Sequence, residues 1–270
     1  MNKENLVQIS NELRKDIINT IYNAGSGHPG GSLSAIDVIT YLYFEKMNID
    51  SKNPKMEDRD KFILSKGHAA PAQYVALAEK GFFDKNELKN LRKLGSFLQG
   101  HPDAKKCPGI EVSTGSLGQG FSNACGIALG NKIDKKNSKV YVILGDGEIQ
   151  EGIVWEAAMS ASQFKLDNLV AIIDRNRIQL DGKVEEIMNE ENLKERWEDF
   201  GWNVVECNGH DFDEIDQAFR TLEKSSGKPS LIIANTVKGK GVSFMEDNPA
   251  WHGTAPNEEQ RELAIKELSK

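Results

Sequence analysis

Apolar residues recur at helical spacing near the N-terminus and form short runs further along the chain. The first pattern predicts an amphipathic helix over about residues 4–23, which glycines from position 25 onward should end. The short runs are typical of strands that are buried on both faces of a parallel sheet. They occupy residues 61–65, 139–144, 168–174, 203–207 and 230–235.

Helical patterns lie between these predicted strands. They cover residues 34–46, 84–94, 149–164 and 256–268, with a further helix that starts near Phe121. Capping boxes are expected at Asp84 with Glu87, Asp211 with Glu214 and Asn257 with Gln260. Because strands alternate with helices and no repeat or linker interrupts them, we expect a single α/β domain over residues 1–270. Its fold class should be a doubly wound parallel sheet with helices on both faces.

Two polar side chains follow the ends of neighbouring strands. Asp146 stands in Gly-Asp-Gly after the run 139–144, and Asn176 follows the run 168–174. A right-handed crossover would bring both strand ends to one edge of the sheet, where open α/β sheets bind their ligands. A carboxylate and an amide oxygen suit Mg²⁺ or Ca²⁺, and glycine lets backbone amides approach an anion, so we predict a metal diphosphate site. The alternative is an ordinary turn after a strand.

The composition of the chain limits which binding partners and which cellular compartment we expect. The net charge is −7, which leaves no basic footprint for nucleic acid or anionic lipid, and we expect neither partner. Cys107, Cys125 and Cys207 lack paired spacing and are typical of reduced thiols in a cytosolic protein. The charged N-terminus does not resemble a signal peptide, and no apolar run approaches the ~18 residues of a membrane span. We therefore expect a cytoplasmic protein without a membrane segment.

All five histidines stand beside glycine, which predicts loop positions and not core positions. Their spacing fits no short zinc-ligand pair. We expect most of them to be neutral imidazoles lining a polar pocket, where they could hydrogen-bond sugar hydroxyls and transfer protons near neutral pH. His210 is the exception, since it directly precedes a capped helix and is interpreted as a turn residue.

Two glycine-rich segments are interpreted as structural. Residues 25–30 match Gly-x-Gly-x-x-Gly, but they follow a helix where dinucleotide binding requires a strand. Lys238 to Gly241 lacks the remainder of a phosphate-binding loop and is interpreted as a glycine-rich connection.

The distance from Gly-Asp-Gly to the following asparagine is typical of thiamine diphosphate enzymes, and the chain resembles the diphosphate-binding domain of transketolases. The resemblance covers nearly all of these residues, but only the first of three family domains. It implies that the chain binds thiamine diphosphate through Mg²⁺, or through Ca²⁺ or Mn²⁺. The implied metal ligands are Asp146, Asn176 and the backbone carbonyl of Ile178.

Four histidine motifs carry the same resemblance: Ser26–Gly30, Gly67–Ala69, Gly100–Pro102 and His252-Gly253. They imply that His28, His68, His101 and His252 handle the substrate and its protons, and that His68 also contacts the cofactor diphosphate. Glu151 matches a family acid that connects active sites across an interface. The alternative for Glu151 is a solvated glutamate in the first turn of a helix.

The loop from Thr114 to Gly120 is implied to hold the cofactor, with Gly115 and Leu117 against its aminopyrimidine ring. Ser116 stands where many transketolases have proline, a difference that loosens the loop but removes no donor or acceptor. The complete set implied to bind the cofactor is His68, Gly115, Ser116, Leu117, Gly145, Asp146, Gly147, Glu148, Asn176 and Ile178.

The resemblance implies the N-terminal subunit of a split transketolase, because the pyrimidine-binding and C-terminal domains are absent. Such a subunit would be inactive alone and would act with a transketolase C-terminal subunit in a dimer of heterodimers, a heterotetramer. The implied reaction is reversible transfer of a two-carbon ketol unit from a ketose phosphate to an aldose phosphate, as in the pentose phosphate pathway. Alternatives are a subunit of a deoxyxylulose phosphate synthase or a 2-oxo acid decarboxylase, and a non-catalytic cofactor-binding subunit.

Overall fold

The computed structural model describes residues 2–180, 182–188, 191–224 and 227–269. Five parallel strands form the central sheet, in the spatial order first, second, third, seventh, sixth. The fourth and fifth strands form a separate short antiparallel pair. The strands are β1 (Lys61–Leu64), β2 (Val140–Gly145), β3 (Leu169–Arg175), β4 (Ile178–Gln179), β5 (Gly182–Lys183), β6 (Asn203–Asn208) and β7 (Ser230–Asn235).

Helices cover both faces of this sheet. They are α1 (Lys3–Ala24), α2 (Pro29–Tyr41), α3 (Ala70–Lys80), α4 (Gln119–Ile133), α5 (Gly152–Gln163), α6 (Val184–Ile187), α7 (Leu193–Asp199), α8 (Phe212–Leu222) and α9 (Glu258–Glu267). A π-helical turn at Leu42–Lys46 extends α2. Short 3-10 helices cover Gly67–Ala69, Lys85–Asn90, Gly147–Gln150 and Pro249–Trp251.

Successive residues of a central strand pack on opposite faces, and both faces are apolar. In β2, Tyr141 and Ile143 belong to the core formed with α1, α2, α3 and α8. Val140, Val142 and Leu144 belong to the core formed with α4, α5 and α7. Strands buried in this way have continuous apolar sequences, which is why all five were predicted to within one residue at either end. The predicted doubly wound α/β fold is confirmed.

The second helix begins at Pro29, whereas the apolar pattern placed its start near residue 34. Proline suits the first helical position because no hydrogen bond from its nitrogen is needed there. Gly30 and Gly31 lie inside the helix despite their low helix propensity. A Cβ on Gly30 would be only 2.9 Å from the carbonyl oxygen of Trp251, so close packing requires glycine and overrides propensity.

Only one of the three predicted capping boxes is complete. Asn257 and Gln260 form the reciprocal pair at the start of α9. Asp211 caps α8 by accepting from the backbone N–H of Glu214, but the Glu214 carboxylate accepts from the N–H of Asn208 instead of Asp211. The Glu214 side chain therefore connects α8 to the end of β6 and does not complete the capping box.

Two further helix predictions differ from the structure. The predicted helix 84–94 is only the 3-10 helix Lys85–Asn90, because Leu91 turns the chain out of helical geometry and is buried. The Asp84 side chain caps it through the N–H of Asn86. The predicted helix 149–164 is divided into a 3-10 helix and α5. The helix α3 was not predicted, since it is buried on nearly every side and has no polar face to reveal a helical period.

Candidate functional site

A cavity of about 370 Å³ lies at the carboxyl-terminal edge of the central sheet, within the size range of small-molecule sites. The segments that follow β1, β2, β3 and β7 line it, together with the start of α2. Among the predicted polar residues, those that line it are His28, His68, His252, Asp146, Glu148 and Asn176. Predicted Gly115, Leu117, Gly145, Gly147 and Ile178 line it as well.

The parallel pairing of β2 and β3 brings Asp146 and Asn176 to the same cavity, as the sequence predicted. The Asp146 carboxylate is 3% exposed and accepts hydrogen bonds from the backbone N–H groups of Gly147, at 2.8 Å, and Arg177. Oδ1 of Asn176 accepts from the N–H of Ile178 at 3.2 Å. Burial raises the pKa of Asp146 to about 6, so a nearby cation would stabilise its charged form.

The donors present here fit a divalent metal that completes its coordination with phosphate oxygens. Asp146 offers a carboxylate, Asn176 an amide oxygen and Ile178 a backbone carbonyl, which are all hard oxygen donors. Within the residues that the structure describes, no group of three or more His, Cys, Asp or Glu side chains could hold a metal ion by itself. This donor set suits Mg²⁺, which commonly takes one or two protein carboxylates and obtains further oxygens from a phosphate ligand and water.

Lys66, which the sequence analysis missed, is an almost completely buried cation at the cavity. Its Nζ forms an ion pair with Asp174 and donates to the carbonyl oxygen of Gly31 at 3.0 Å. Asp174 also accepts from the hydroxyls of Ser34 and Thr236. Burial alone would raise the pKa of Asp174, but Lys66 outweighs this effect and lowers it. The pair is a fixed charge network between the ends of β1 and β3 and the start of α2.

Lys238 is a second buried lysine, and it lies in the segment that was interpreted as a glycine-rich connection. That interpretation was incomplete, because the side chain enters the cavity. Its Nζ lies 2.9 Å from both the carbonyl oxygen of Ile178 and Nδ1 of His252. Burial lowers the pKa of Lys238 to about 8. The one sequence signal for either lysine was its place just after a strand, at the edge where Asp146 and Asn176 were expected.

Three of the predicted histidines form a contiguous group. The ring centroids of His28 and His68 are 5.2 Å apart, those of His68 and His252 are 5.3 Å apart, and those of His28 and His252 are 5.5 Å apart. Burial, helped by nearby cations, lowers the pKa of His28 and of His252 to about 4 and the pKa of His68 well below its ordinary value. These imidazoles are therefore neutral at pH 7 and can accept or donate hydrogen bonds without adding charge.

Three other predicted residues are exposed outside the cavity lining. The His101 ring lies beside Gly115, where an added Cβ would approach it to 3.3 Å. Partial desolvation of the ring, on the side that faces the protein, lowers the pKa of His101, and the charge of Arg92 lowers it further. Glu151 precedes α5 and makes no side-chain cap, and Ser116 lies in the loop before α4. His210 is also outside the lining, in the turn before α8 where the sequence placed it.

Glu148 organises the loops around the cavity. Its buried carboxylate accepts from the N–H of Gly118 at 2.8 Å, from the N–H of Gly145 at 2.9 Å and from the hydroxyl of Ser65. These bonds join the loop before α4 to the ends of β1 and β2. The side chain predicted to bind a cofactor therefore already has three protein partners.

Comparison with known proteins identifies the family. The family model described as the transketolase thiamine diphosphate binding domain matches residues 5–268. This chain belongs to the transketolase family. The prediction of an N-terminal transketolase subunit is confirmed, and membership makes the chain part of a thiamine diphosphate-binding transferase.

Split transketolase subunits match this transketolase chain along almost their full length. An apulose-4-phosphate transketolase subunit of Phocaeicola vulgatus is 47% identical, over 100% of this chain and 95% of that protein. A 6-deoxy-6-sulfo-D-fructose transketolase subunit of Clostridium sp. (strain MSTE9) is 46% identical, over 97% of this chain and 95% of that protein.

Solved transketolases share the fold. The transketolase of Campylobacter jejuni has a TM-score of 0.94 and 37% identity, and the match covers 100% of this chain and 43% of that one. The Leishmania mexicana transketolase has a TM-score of 0.93 and 29% identity, over 98% of this chain and 41% of that one. The chain thus spans about two fifths of the solved transketolases.

Among its described residues, no helix has both the length and the apolar character needed to cross a bilayer.

Proposed function

We propose that this transketolase chain works with a C-terminal transketolase subunit in the reversible transfer of a two-carbon ketol unit from a ketose phosphate to an aldose phosphate. One observation carries the proposal: hard oxygen donors, two buried lysines and three neutral histidines face the same cavity. Each group answers a different need of the reaction, namely the metal, the diphosphate anion and the hydroxyl groups of a sugar.

In this proposal Asp146, Asn176 and the Ile178 carbonyl hold Mg²⁺, with Ca²⁺ or Mn²⁺ as substitutes. The residues proposed to bind thiamine diphosphate are His68, Gly115, Ser116, Leu117, Gly145, Asp146, Gly147, Glu148, Asn176 and Ile178. Lys238 also donates to the Ile178 carbonyl, whose second lone pair remains for the metal, and so adds a positive charge on the same side of the cavity. Thiamine diphosphate, when bound, supplies the electron sink for breaking the carbon–carbon bond of the ketose.

The histidines are proposed to orient the sugar and to move its protons. His28, His68 and His252 are neutral, so each can accept a proton from one hydroxyl and return it to another. His101 is proposed to act at the entrance, where its ring is exposed. Glu151, also exposed, is proposed to lie at an interface and to connect active sites there.

The assembly is proposed to be a dimer of heterodimers in the cytoplasm. Residues 1–270 would form the diphosphate-binding domain, and the partner would bring the pyrimidine-binding and C-terminal domains. Two relatives that match along most of their length are named as subunits of a transketolase, which supports a separate partner chain. The present chain would hold the metal and diphosphate but would be inactive without the partner's contribution to the pyrimidine site.

The substrate class is proposed to be ketoses that carry an anionic group. Pentose phosphate pathway sugars are the first candidates. The names of two relatives refer to apulose-4-phosphate and to 6-deoxy-6-sulfo-D-fructose, which favours apulose-4-phosphate or a sulfonated ketose as a second candidate.

The test combines binding with product analysis. Calorimetry should show Mg²⁺-dependent binding of thiamine diphosphate that tightens strongly when the C-terminal subunit is added. The complex should then produce ketol-transfer products from pentose phosphates, apulose-4-phosphate or the sulfonated ketose. Absence of binding in both conditions would remove thiamine chemistry from the proposal. Binding without transfer, but with conversion of pyruvate, would favour a decarboxylase or a deoxyxylulose phosphate synthase; binding without any turnover would favour a non-catalytic subunit.

A further inference from the structure

A buried ionic cluster lies behind the cavity and does not line it. Its centre is Asp37 of α2, which is 4% exposed. Arg14 of α1 donates to both carboxylate oxygens of Asp37, and Ser10 donates to one of them. Burial alone would raise the pKa of Asp37, but Arg14 and the hydrogen bond from His210 outweigh it and lower this pKa. Asp37 is therefore a fixed carboxylate that can orient its neighbours.

His210 connects this carboxylate to the segment that carries Lys238. Its Nδ1 lies 2.7 Å from Oδ2 of Asp37, and its Nε2 lies 2.8 Å from the backbone nitrogen of Val237. A backbone N–H can only donate, so Nε2 must accept and the ring proton must be on Nδ1, which donates to Asp37. Both ring nitrogens are used, and the Val237 N–H and the Asp37 carboxylate together set the tautomer.

The same cluster holds the other side of Lys238. Nε of Arg14 donates to the carbonyl oxygen of Lys240 at 3.2 Å, and the N–H of Gly239 donates to the carbonyl of Gly30 at 3.0 Å. Residues 236–241 have no helix or strand geometry, so individual bonds fix their position. Besides those of the cluster, these are the bonds from the Thr236 N–H to the Arg175 carbonyl and from the Asp247 N–H to the Lys238 carbonyl. Asp37, through His210, therefore holds Val237 on one side of Lys238, and Arg14 holds Lys240 on the other side. The Lys238 ammonium itself faces the proposed metal donors.

We propose that His210, oriented by Asp37, is a positioning residue that holds Lys238 in place for the diphosphate of the cofactor. This inference rests on the proposed function, because it assumes that the cavity binds a metal diphosphate. His210 acts through the Val237 N–H and touches neither the cavity nor a ligand. His210, which the sequence predicts to be a turn residue, thus supports a site that its own side chain does not enter.

Two substitutions separate the halves of this connection. His210→Asn keeps an amide donor at the position of Nδ1 for Asp37 but cannot reach Val237, whereas His210→Gln places an acceptor near the position of Nε2. Tyr41→Phe is the matched control, since it removes a 2.7 Å bond between α2 and Asp216 of α8 without touching the Lys238 segment.

The measurements are amide hydrogen exchange of residues 236–240 in the chain and the Kd for thiamine diphosphate, with saturating Mg²⁺, of its complex with the C-terminal subunit. For His210→Asn we expect exchange to rise selectively in this segment and the Kd to weaken about tenfold, the lower end of the effect of losing a supporting partner. His210→Gln should recover most of that affinity, and Tyr41→Phe should leave both quantities near their wild-type values.

A Kd for His210→Asn within twofold of the Tyr41→Phe value would overturn the inference while leaving the proposed function intact. A loss of affinity accompanied by faster exchange throughout the chain would also overturn it, because the effect would then be general destabilisation. Failure of the wild-type complex to bind thiamine diphosphate would instead contradict the proposed function, and this inference with it.

Discussion

The cavity has a floor and a wall that are built in opposite ways. The floor consists of Asp146, Asn176, Lys66 and Lys238, each of which hydrogen-bonds to a backbone group, and Lys66 also pairs with Asp174. The wall consists of His28, His68 and His252, whose rings mainly contact one another. Buried Nδ1 of His28 has no hydrogen-bond partner in the part of the chain that the structure describes.

This difference in hydrogen bonding and charge indicates which kind of ligand each region is suited to bind. A floor of prearranged charges favours an occupant that is ionic and stays in place, as a metal diphosphate would. A neutral wall with spare hydrogen-bonding capacity favours a polar ligand that arrives and leaves, as a sugar does. The two regions should therefore respond differently to substitution.

The largest expected effect comes from Lys66→Met in the floor. Because Asp174 would remain buried without its ammonium partner, the free energy of unfolding should fall by about 3–5 kcal/mol. Lys132→Met is the control, since it breaks an exposed ion pair with Asp167 and should cost less than about 1 kcal/mol. Urea unfolding of both variants measures the difference, and equal losses would show that the floor is no more preorganised than the surface.

Asp146→Ala should remove metal-dependent cofactor binding. Loss of a supporting partner already weakens metal sites by about 10–100-fold, so loss of a direct ligand should weaken the Kd by more than about 100-fold. The exposed Asp134, at the far end of α4, provides the control Asp134→Ala, which should leave the Kd unchanged. Calorimetry of both variants with Mg²⁺ decides this, and a metal-dependent Kd retained by Asp146→Ala would exclude it as a ligand.

His28→Ala in the wall should lower turnover but not cofactor affinity. Loss of a proton-transfer group typically lowers the rate by about 100-fold or more. His101→Ala should have a smaller effect on turnover, because its ring is exposed outside the cavity lining. Steady-state kinetics of the complex, combined with the Kd for thiamine diphosphate, separates the two regions; a weakened Kd for His28→Ala would assign this histidine to the floor.

The smallest effect is a pH dependence of stability. The pKa of His28 and of His252 is about 4, whereas an unfolded chain binds these protons near pH 6.5. The unfolded state therefore binds more protons between these values, and stability should fall as the pH falls from about 6.5 to 4. The double variant His28→Asn/His252→Asn should lose less Tm between pH 7 and pH 5. NMR titration checks the cause, since midpoints near 6.5 for these two rings would contradict a buried neutral wall.

Sequence reasoning reached the parts of the molecule that are determined locally. The runs in β2 and β3 reveal their burial directly, and the turns after them place Asp146 and Asn176. Lys66 and Lys238 were missed because lysine is ordinarily exposed, and only partners distant in sequence make its burial favourable. Sequence patterns therefore predict where a side chain lies along a strand or turn, but not which distant residue it will contact.

The early start of α2 was missed for a related reason. Glycine lowers helix propensity at Gly30, and only the neighbouring Trp251 carbonyl explains why glycine is required there. The two histidine motifs near His28 and His252 could be recognised separately, but their contact depends on this same approach of distant segments.

That approach has a consequence for how the protein folds. His28 and His252 lie near opposite ends of the chain, so their contact is among the most non-local in the molecule. Contacts of this kind form slowly, since a long loop must close before they contribute any stability. Three of the four floor residues, Lys66, Asp146 and Asn176, follow β1, β2 and β3 and are synthesised well before His252. Lys238 of the floor and His252 of the wall are both synthesised late and contact each other, so both regions can be completed only when the C-terminal part of the chain is available.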